Sequence, residues 1–257
     1  MRGYDSSTYG DAFADVYDDW YRGLSDIDCT IAFLGDLANG GSVLELGVGT
    51  GRLAVPLRAT VGSVTGVDSS QKMLDILRAK DQLGTVTWQL GDMVDDLPDA
   101  RFDVVIVAYN TLFNLLTVER QRACFRAVAA RLTDDGAFVV EAFVPQPHTG
   151  SQVSVRSLDV DRVVLSASIH QAADQHAEGQ FIEFTHGGGV RLRPWSIRWA
   201  DPEQLDAMAA DSGLELHQRW ADFDRSTFDA TSERHVSVYR HHHAGRETSS
   251  PPGVVPI

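Results

Sequence analysis

The order of apolar and polar positions predicts alternating strands and helices over the first half of the chain. Five short apolar runs, bounded by glycine or polar residues, are typical of buried strands. Between them apolar residues recur at helical spacing, and 134–136 (Asp-Asp-Gly) is typical of a turn. This alternation predicts a parallel sheet with right-handed crossovers, the architecture of an α/β domain. The predicted strands are 42–46, 61–67, 86–90, 102–108 and 137–142, and the predicted helices are 51–58, 71–80 and 118–132.

The pattern changes after Pro145. β-branched and aromatic residues without helical spacing fill 153–169 and 181–199, and the glycine-rich stretch 186–189 is typical of a hairpin loop. This segment predicts a β insertion lying over or beside the sheet. A helix over 201–212, with Pro202 in its first turn and Gly213 just past its end, and closing strands over 214–220 and 236–239 complete the predicted elements.

These elements predict a single domain over 1–240, followed by a disordered tail over 241–257. Within the domain, residues 1–40 are predicted to form an N-terminal helical lid, and 146–200 the β insertion. The three adjacent histidines that begin the predicted tail are interpreted as solvated residues, and no metal site is predicted.

Composition limits the classes of partner. Acidic residues outnumber basic ones 36 to 22, for a net charge of −14, which counts against binding to a nucleic-acid backbone. No apolar run reaches the roughly 20 residues of a membrane helix, and no secretory pattern opens the chain. Cys29 and Cys124 lie far apart and are interpreted as reduced thiols. We therefore predict a cytoplasmic protein without nucleic-acid or membrane partners.

A glycine-rich turn joins the first strand to the first helix. A phosphate-binding P-loop would end in Gly-Lys-Ser/Thr, but Arg52 and Leu53 stand there. A dinucleotide fingerprint needs a small residue where Arg52 lies, so NAD is disfavoured. The run Glu45-x-Gly47-x-Gly49-x-Gly51 instead resembles the first motif of class I S-adenosylmethionine-dependent methyltransferases, in which the turn holds the amino-acid end of the cofactor.

Residues after the later strands extend this resemblance. Asp68 ends the second strand, where the family places an acid that accepts hydrogen bonds from both ribose hydroxyls. Asp92 and Met93 follow the third strand at the family's adenine-contacting segment, with Asp92 near the exocyclic amine. Met73 matches a family residue near the base, and Tyr109 ends the fourth strand beside the methionine moiety. All but Met73 follow strand carboxyl ends, where open α/β sheets bind ligands.

The resemblance covers about residues 10–142 and implies a fold and a cofactor. The implied fold is a Rossmann-like sheet with helices on both faces, carrying the N-terminal helical lid and a β insertion after the fifth strand. The implied cofactor is S-adenosylmethionine. The segment order, the insertion and the acidic surface are similar to actinomycete antibiotic N-methyltransferases, which act on amino sugars or on the secondary amine of lincosamide precursors.

The methyl acceptor and the catalytic residues follow from the same resemblance. Tyr17, with the following aspartate, matches a Tyr-Asp pair in a segment that closes over the cofactor, although the periodic aromatic residues of this segment also suit plain packing. Tyr9 and Phe113 are predicted to contact a small-molecule acceptor. An amine acceptor needs positioning more than deprotonation, whereas a hydroxyl needs a base. Glu141 and His148 are the candidate bases, and either is also explained as a structural or bystander residue.

Other functions remain open at this stage. An O-methyltransferase that uses a protein base is the main alternative to N-methylation. A SAM-binding enzyme of different chemistry, such as aminopropyl transfer, and a non-catalytic SAM-binding module are two more. A homo-oligomer formed through the β insertion is a further expectation.

Overall fold

A seven-stranded, mostly parallel sheet forms the centre of the computed structural model, which describes residues 1–23 and 26–242. Its strand order is β10-β11-β5-β4-β1-β2-β3, in which only β11 runs antiparallel to its neighbours. The strands are β1 (Ser42–Leu46), β2 (Ser63–Asp68), β3 (Val86–Leu90), β4 (Phe102–Val107), β5 (Leu132–Phe143), β10 (Leu214–Trp220) and β11 (Arg234–His241). The predicted α/β sheet is confirmed.

Helices cover both faces of this sheet. Along β4, Val105 and Val107 face one buried cluster, while Val104 and Ile106 face the other, because successive side chains of a strand point to opposite faces. One cluster lies under α3, α4 and α5, and the other under α6 and α7. These helices are α3 (Ile27–Ala38), α4 (Ala54–Leu57), α5 (Gln71–Lys80), α6 (Val118–Ala129) and α7 (Pro202–Ala210).

Several predicted elements have different bounds, and two of these differences have a clear local cause. The helix expected over 51–58 is only the short α4, because Gly51 adopts φ +73° and the chain is still turning there. The turn expected at 134–136 lies inside β5, whose pairing with β4 jumps from Phe102–Leu132 to Val104–Ala137. The extra β5 residues bulge out of the ladder, so the strand begins five residues earlier than predicted.

The β insertion is a separate four-stranded antiparallel sheet with the order β6-β7-β8-β9. It is a meander in which each strand pairs with the next along the chain, and 186–189 connects β8 to β9, as the glycine-rich stretch predicted. Pro194, which has no N–H to donate, lies in the edge strand β9, where such a donor is dispensable. The strands are β6 (Gly150–Leu158), β7 (Arg162–Gln171), β8 (His176–Thr185) and β9 (Val190–Arg198).

The start of the lid contains two short helices instead of one continuous helix. They are α1 (Thr8–Phe13) and α2 (Tyr17–Trp20), and α1 packs on β9 of the insertion. The aromatic residues spaced by four therefore do not form one stripe. Tyr9 stacks on Phe13 within α1, with ring centroids 4.4 Å apart, and Tyr17 contacts Tyr21 across α2 at 4.7 Å.

The end of the described chain differs from the predicted tail. His241 is the last residue of β11, and the Nδ1 atom of His242 lies 2.8 Å from the Glu215 carboxylate. The rest of the predicted tail, 243–257, lies outside the described residues. Within 1–23 and 26–242, no helix is long and apolar enough to cross a membrane.

Candidate functional site

A cavity opens where the lid crosses the carboxyl ends of β1, β2 and β3. Its walls come from separate parts of the chain. They include Tyr9 and Tyr17 of the lid, Gly47 and Gly49 of the glycine turn, Asp68, Met73, Asp92 and Met93, all of which the sequence analysis assigned to a site. The fold therefore brings these eight residues together.

The glycines of the turn have different tasks. All three adopt positive φ, between +56° and +73°, a conformation that glycine adopts without a Cβ penalty. A Cβ on Gly47 would lie 2.4 Å from Thr111, and one on Gly51 would lie 2.8 Å from Leu77, so both positions are closed by the protein itself. A Cβ on Gly49 would meet no atom closer than 3.9 Å. Of the three glycines, Gly49 alone has open space on the side where a Cβ would lie, and a ligand can approach there. Gly51 instead allows close packing against Leu77.

Asp68 joins the glycine turn to the start of α5. Its Oδ2 accepts the Gly49 N–H at 2.8 Å, and its Oδ1 accepts the Ser70 N–H at 2.8 Å. Burial raises the pKa of its carboxyl, and the backbone N–H groups of Ser70 and Gly49 oppose that shift. Ser70, not Asp68, caps α5, because the Ser70 hydroxyl accepts the Met73 N–H. Helix capping therefore does not explain the carboxylate at position 68.

Asp92 has a close partner within the protein. Its Oδ1 accepts hydrogen bonds from the Arg120 guanidinium at 2.5 Å and from the Val94 N–H at 2.7 Å. The Asp92 carboxylate is therefore positioned from two sides at the rim of the cavity. Met73 and Met93 add apolar wall on the same side, which suits a planar heterocycle.

Hydrogen bonds fasten the lid to the sheet around the cavity. The Thr50 hydroxyl donates to Asp18 at 2.7 Å, and Lys80 pairs with the same carboxylate at 2.6 Å. On the other side, the Ser70 hydroxyl donates to Asp11 at 2.7 Å. The Tyr17 side chain is partly buried, and this desolvation raises the pKa of its hydroxyl above the ordinary value. The phenol therefore stays protonated and can act as a hydrogen-bond donor.

Glu45 lies behind the glycine turn and does not line the cavity. Its side chain is 5% exposed, and its Oε2 has no hydrogen-bond partner among the described residues. Burial raises the pKa of Glu45 to about 8, and the nearby Arg52 guanidinium opposes this shift. A buried carboxyl with one unpartnered oxygen destabilises the fold, because desolvation penalises an unmade hydrogen bond.

A second cleft lies beside the cavity, at the ends of β4 and β5. Tyr109, Asn110, Glu141 and Glu233 line it, so Tyr109 faces this cleft and not the first cavity. Tyr109 and Asn110 both adopt positive φ, +56° and +63°. Glu141 holds this strained turn through its Oε2, which accepts the Tyr109 N–H at 2.8 Å. Burial raises the pKa of Glu141.

Two predicted site residues lie elsewhere. Phe113 was expected to face the acceptor, but it is fully buried in the core, where its ring packs edge-to-face on Phe143 at 5.1 Å. The segment Thr111–Asn114 is a 3₁₀ helix that turns Phe113 inward and leaves Asn114 at the cavity wall. His148 is exposed and lies over the His170 ring at 4.1 Å, in a different pocket from both cavity and cleft.

Sequence reasoning missed several polar and small residues of the cavity. Ser6 and Gly10 of the lid line it, and a Cβ on Gly10 would lie 2.4 Å from the Ser70 side chain. Gly10 thus permits the close approach of α1 to α5. A glycine amid aromatic residues was the available signal for this contact. Nothing in the local pattern around Asn114 marked it as part of the wall.

Known proteins share this arrangement. A family model described as "Methyltransferase domain" matches residues 43–136, which contain the glycine turn and most of the cavity wall. The CcbJ methyltransferase from Streptomyces caelestis is 42% identical, with a TM-score of 0.87 over 93% of this chain and 100% of CcbJ. The chain belongs to the class I S-adenosylmethionine-dependent methyltransferases. The likeness to CcbJ therefore extends beyond the sequence motifs to 93% of the methyltransferase.

Two more relatives match most of the methyltransferase. The cypemycin N-terminal methyltransferase from a Streptomyces species is 29% identical over 220 residues, 82% of this chain and 89% of that protein. The SAM-bound structure of CalS10, an amino pentose methyltransferase from Micromonospora echinaspora, has a TM-score of 0.68, covering 88% of this chain and 96% of CalS10. At 22% identity, CalS10 shares the fold.

S-adenosylmethionine is the cofactor of this family, and the cavity fits it. The open space at Gly49 admits a ligand against the turn backbone, and Asp68 offers a partly buried carboxylate to hydroxyl donors. Apolar thioether side chains face the opposite end of the cavity, beside Asp92. Together these features suit a ligand with a polar amino-acid end, a ribose and a flat base.

Proposed function

We propose that the enzyme transfers a methyl group from S-adenosylmethionine to an amine nitrogen of a small metabolite in antibiotic biosynthesis. The cleft beside the cofactor cavity carries this proposal. Two carboxylates, Glu141 and Glu233, and the aromatic ring of Tyr109 line that cleft. The cationic group of the cleft, Arg234, already pairs with Asp222. A cleft of this charge attracts an ammonium group.

Aromatic contacts connect the proposed acceptor cleft to the cofactor cavity. The hydroxyls of Tyr9 and Tyr21 lie 3.0 Å apart, and Tyr9 lines the cofactor cavity. The Tyr21 ring in turn contacts the Tyr109 ring edge-on, with centroids 5.5 Å apart. Tyr109 lines the cleft. An acceptor in the cleft would therefore meet the cofactor across a tyrosine wall supplied partly by the lid.

The chemistry requires the protein to position the acceptor and exclude water. When bound, S-adenosylmethionine supplies an electrophilic methyl group on a sulfonium sulfur. Tyr17 and Tyr9 would shield the reacting atoms from water, and the Tyr17 hydroxyl would donate to the cofactor's amino-acid end. Glu141 would hold the acceptor nitrogen near Tyr109. Because an unprotonated amine is already a nucleophile, positioning alone supplies much of the acceleration.

The names of the relatives support an amine acceptor. The cypemycin N-terminal methyltransferase is named for an amino terminus, and it matches this chain over 89% of its own length. CalS10 is described as acting on an amino pentose in calicheamicin biosynthesis. Both names agree with the antibiotic N-methyltransferases that the sequence motifs resemble.

Paired acceptors test the proposal. The enzyme is incubated with S-adenosylmethionine and with amines and their hydroxyl analogues of the same skeleton, and mass spectrometry measures methylation. We expect methylation of an amine and none of the matched alcohol. The rate should rise with pH through the amine's own pKa. Glu141→Gln, whose amide can still accept the Tyr109 N–H, should raise the apparent Michaelis constant for the amine without eliminating turnover.

A hydroxyl acceptor would give a different result. Methylation of the alcohol, with a ~10²–10⁴-fold loss in Glu141→Gln or His148→Ala, would replace the proposal with an O-methyltransferase that uses a protein base. Binding of S-adenosylhomocysteine without transfer to any acceptor would favour a non-catalytic module. Transfer of a group other than methyl would be detected by its mass.

The remaining expectations belong to the same proposal. Residues 1–240 would form one domain, composed of the lid over 1–40, the sheet and the insertion over 146–200. The enzyme would work in the cytoplasm without nucleic-acid partners, and copies would associate through the insertion. Sedimentation of the purified protein over a concentration series tests that association.

A further inference from the structure

Arg193 of the β insertion is buried beneath the lid. Its side chain is 1% exposed, although it lies on the edge strand of a sheet whose outer surface is largely solvated. Its guanidinium donates to both oxygens of Asp15, at 2.7 and 3.1 Å, and to the Ala12 carbonyl. A second carboxylate, Glu183 of β8, accepts from Arg193 at 2.8 Å. A bidentate carboxylate pair of this kind fixes geometry as well as charge.

The lid partners of Arg193 surround the break between α1 and α2. Ala12 is in the last turn of α1, and Asp15 lies between the two helices. Beyond the break, the Trp20 ring at the end of α2 lies 5.3 Å from the Arg193 guanidinium carbon. One side chain of the insertion therefore contacts the lid before, at and after its bend.

The bend decides where the lid tyrosines point. Tyr9 precedes it and Tyr17 follows it, and both line the cofactor cavity. In one straight helix two residues eight apart would lie about 12 Å apart along the axis. The break lets both side chains reach the same cavity. Arg193 itself does not line that cavity, so any effect on the cofactor passes through the lid.

Glu183 fixes the Arg193 guanidinium within the insertion. It pairs with Arg193 and, at 2.7 Å, with Arg162 of the neighbouring strand β7, so the Arg193 guanidinium is held by the insertion before it meets the lid. Arg191 adds a second ion pair to Asp15 at 2.5 Å. Asp15 is thus one point at which the lid is tied to the insertion; Arg156, which donates to the Trp20 carbonyl at 3.2 Å, provides another.

We propose that Arg193 is a positioning residue for cofactor binding. By holding Asp15 and the Ala12 carbonyl, it sets the bend that places Tyr9 and Tyr17 over S-adenosylmethionine. The β insertion then has a task in the cofactor site, besides any part in binding the acceptor. This inference depends on the cofactor cavity and not on the identity of the acceptor.

Calorimetric titration with S-adenosylhomocysteine tests it, since that measurement needs no acceptor. Asp15→Asn keeps the shape of the side chain but weakens the pair, and Arg193→Lys keeps the charge but loses the fork. We expect each variant to bind S-adenosylhomocysteine at least tenfold more weakly. The double variant should be no weaker than the weaker single variant, because both changes release the same tie.

Asp206→Asn is the matched control. The Asp206 carboxylate accepts a hydrogen bond from the Arg219 guanidinium at 2.6 Å. The Arg219 side chain is 12% exposed, and this network lies away from the lid and the cavity. This control should lower the melting temperature as Asp15→Asn does, yet leave S-adenosylhomocysteine affinity within twofold of wild type. Affinity within twofold in both Asp15→Asn and Arg193→Lys, whatever their melting temperatures, would overturn the proposal and leave the cluster as structural support.

Discussion

At the scale of single residues, the carboxyl groups of Asp68 and Glu45 lie next to the glycine turn, one at the cavity wall and one behind it. Asp68 holds two backbone N–H groups on either side of the cavity, and its carboxylate lies at the cavity wall. Glu45 is buried behind the same turn with one unpartnered oxygen. Each therefore has a role that a helix cap or a solvated surface charge does not explain.

Replacement of Asp68 by alanine should remove the acceptor for the ribose hydroxyls. Charge-assisted hydrogen bonds are worth about 1.5–3 kcal/mol each, so we expect at least tenfold weaker binding of S-adenosylhomocysteine by calorimetry. Asp103→Ala is the control. Asp103 also accepts a backbone N–H, that of Ser42 at 2.8 Å, but it lies near the amino end of β4, away from the strand ends that form the cavity. Equal loss of affinity in both variants would contradict a specific role for Asp68.

The buried Glu45 carboxyl should make the stability of the folded protein depend on pH. Its pKa of about 8 in the folded protein lies above the ordinary value of a glutamate, so folding favours the protonated form. The contribution of Glu45 to the free energy of unfolding therefore falls as pH rises from about 4.5 towards 8, by at most about 1.4 kcal/mol per pH unit. Glu45→Gln does not titrate there. Its melting temperature relative to wild type should rise over this range and level off above it; a constant difference would contradict the burial argument.

At the scale of elements, the glycine turn and the bend in the lid together shape the cofactor cavity. Gly47 and Gly51 are closed off by neighbouring side chains, whereas Gly49 faces open space. The bend lets α1 and α2 approach the same turn from two directions. A tight turn and a broken helix thus create the cavity at the ends of otherwise regular strands.

Gly49→Ala tests the role of the turn against a matched position. Gly84 also has positive φ, +63° against +56°, and a Cβ there would likewise meet no close atom, but it lies far from the cavity wall. Each alanine should cost about 1–2 kcal/mol of stability from left-handed backbone strain. Only Gly49→Ala should also abolish thermal stabilisation by S-adenosylhomocysteine, and an unchanged ligand shift in that variant would refute the assignment.

At the scale of the whole molecule, the sheet and the lid meet at the cofactor cavity, and the insertion contacts the lid. The sheet supplies the turn and the acids, the lid supplies tyrosines, and the insertion holds the lid through Arg193. Polar contacts tie the lid to the sheet as well, including Thr50 to Asp18 at 2.7 Å. A ligand that orders the lid should therefore also affect the insertion.

Hydrogen exchange can detect that connection. We expect S-adenosylhomocysteine to slow amide exchange in residues 8–20 and, with them, in strands β8 and β9. Strand β10 lies at the far edge of the large sheet and serves as the internal control, with unchanged exchange. Protection confined to the glycine turn and α5 would show that the insertion is not connected to the cofactor site.

Much of this protein follows from local sequence. Alternating apolar runs and helical spacing specify the sheet and its crossovers, because burial on two faces demands that pattern. The motif from Glu45 to Gly51, followed by Asp68 and Asp92, marks the cofactor edge, because parallel strands present their carboxyl ends together. The glycine-rich hairpin loop of the insertion was likewise recognisable, since glycine tolerates the positive φ that such a loop needs.

Tertiary structure decided the rest, because it depends on contacts between residues distant in sequence. The Phe113 side chain points into the core, because the 3₁₀ helix directs it inward and its ring packs on Phe143. Tyr109 turned to the second cleft because Glu141 holds its strained backbone. Arg193 is separated from Asp15 by 178 positions, so no local pattern announces their pairing. Local periodicity determines which elements form, but the orientation of each side chain at the site is set by packing between those elements.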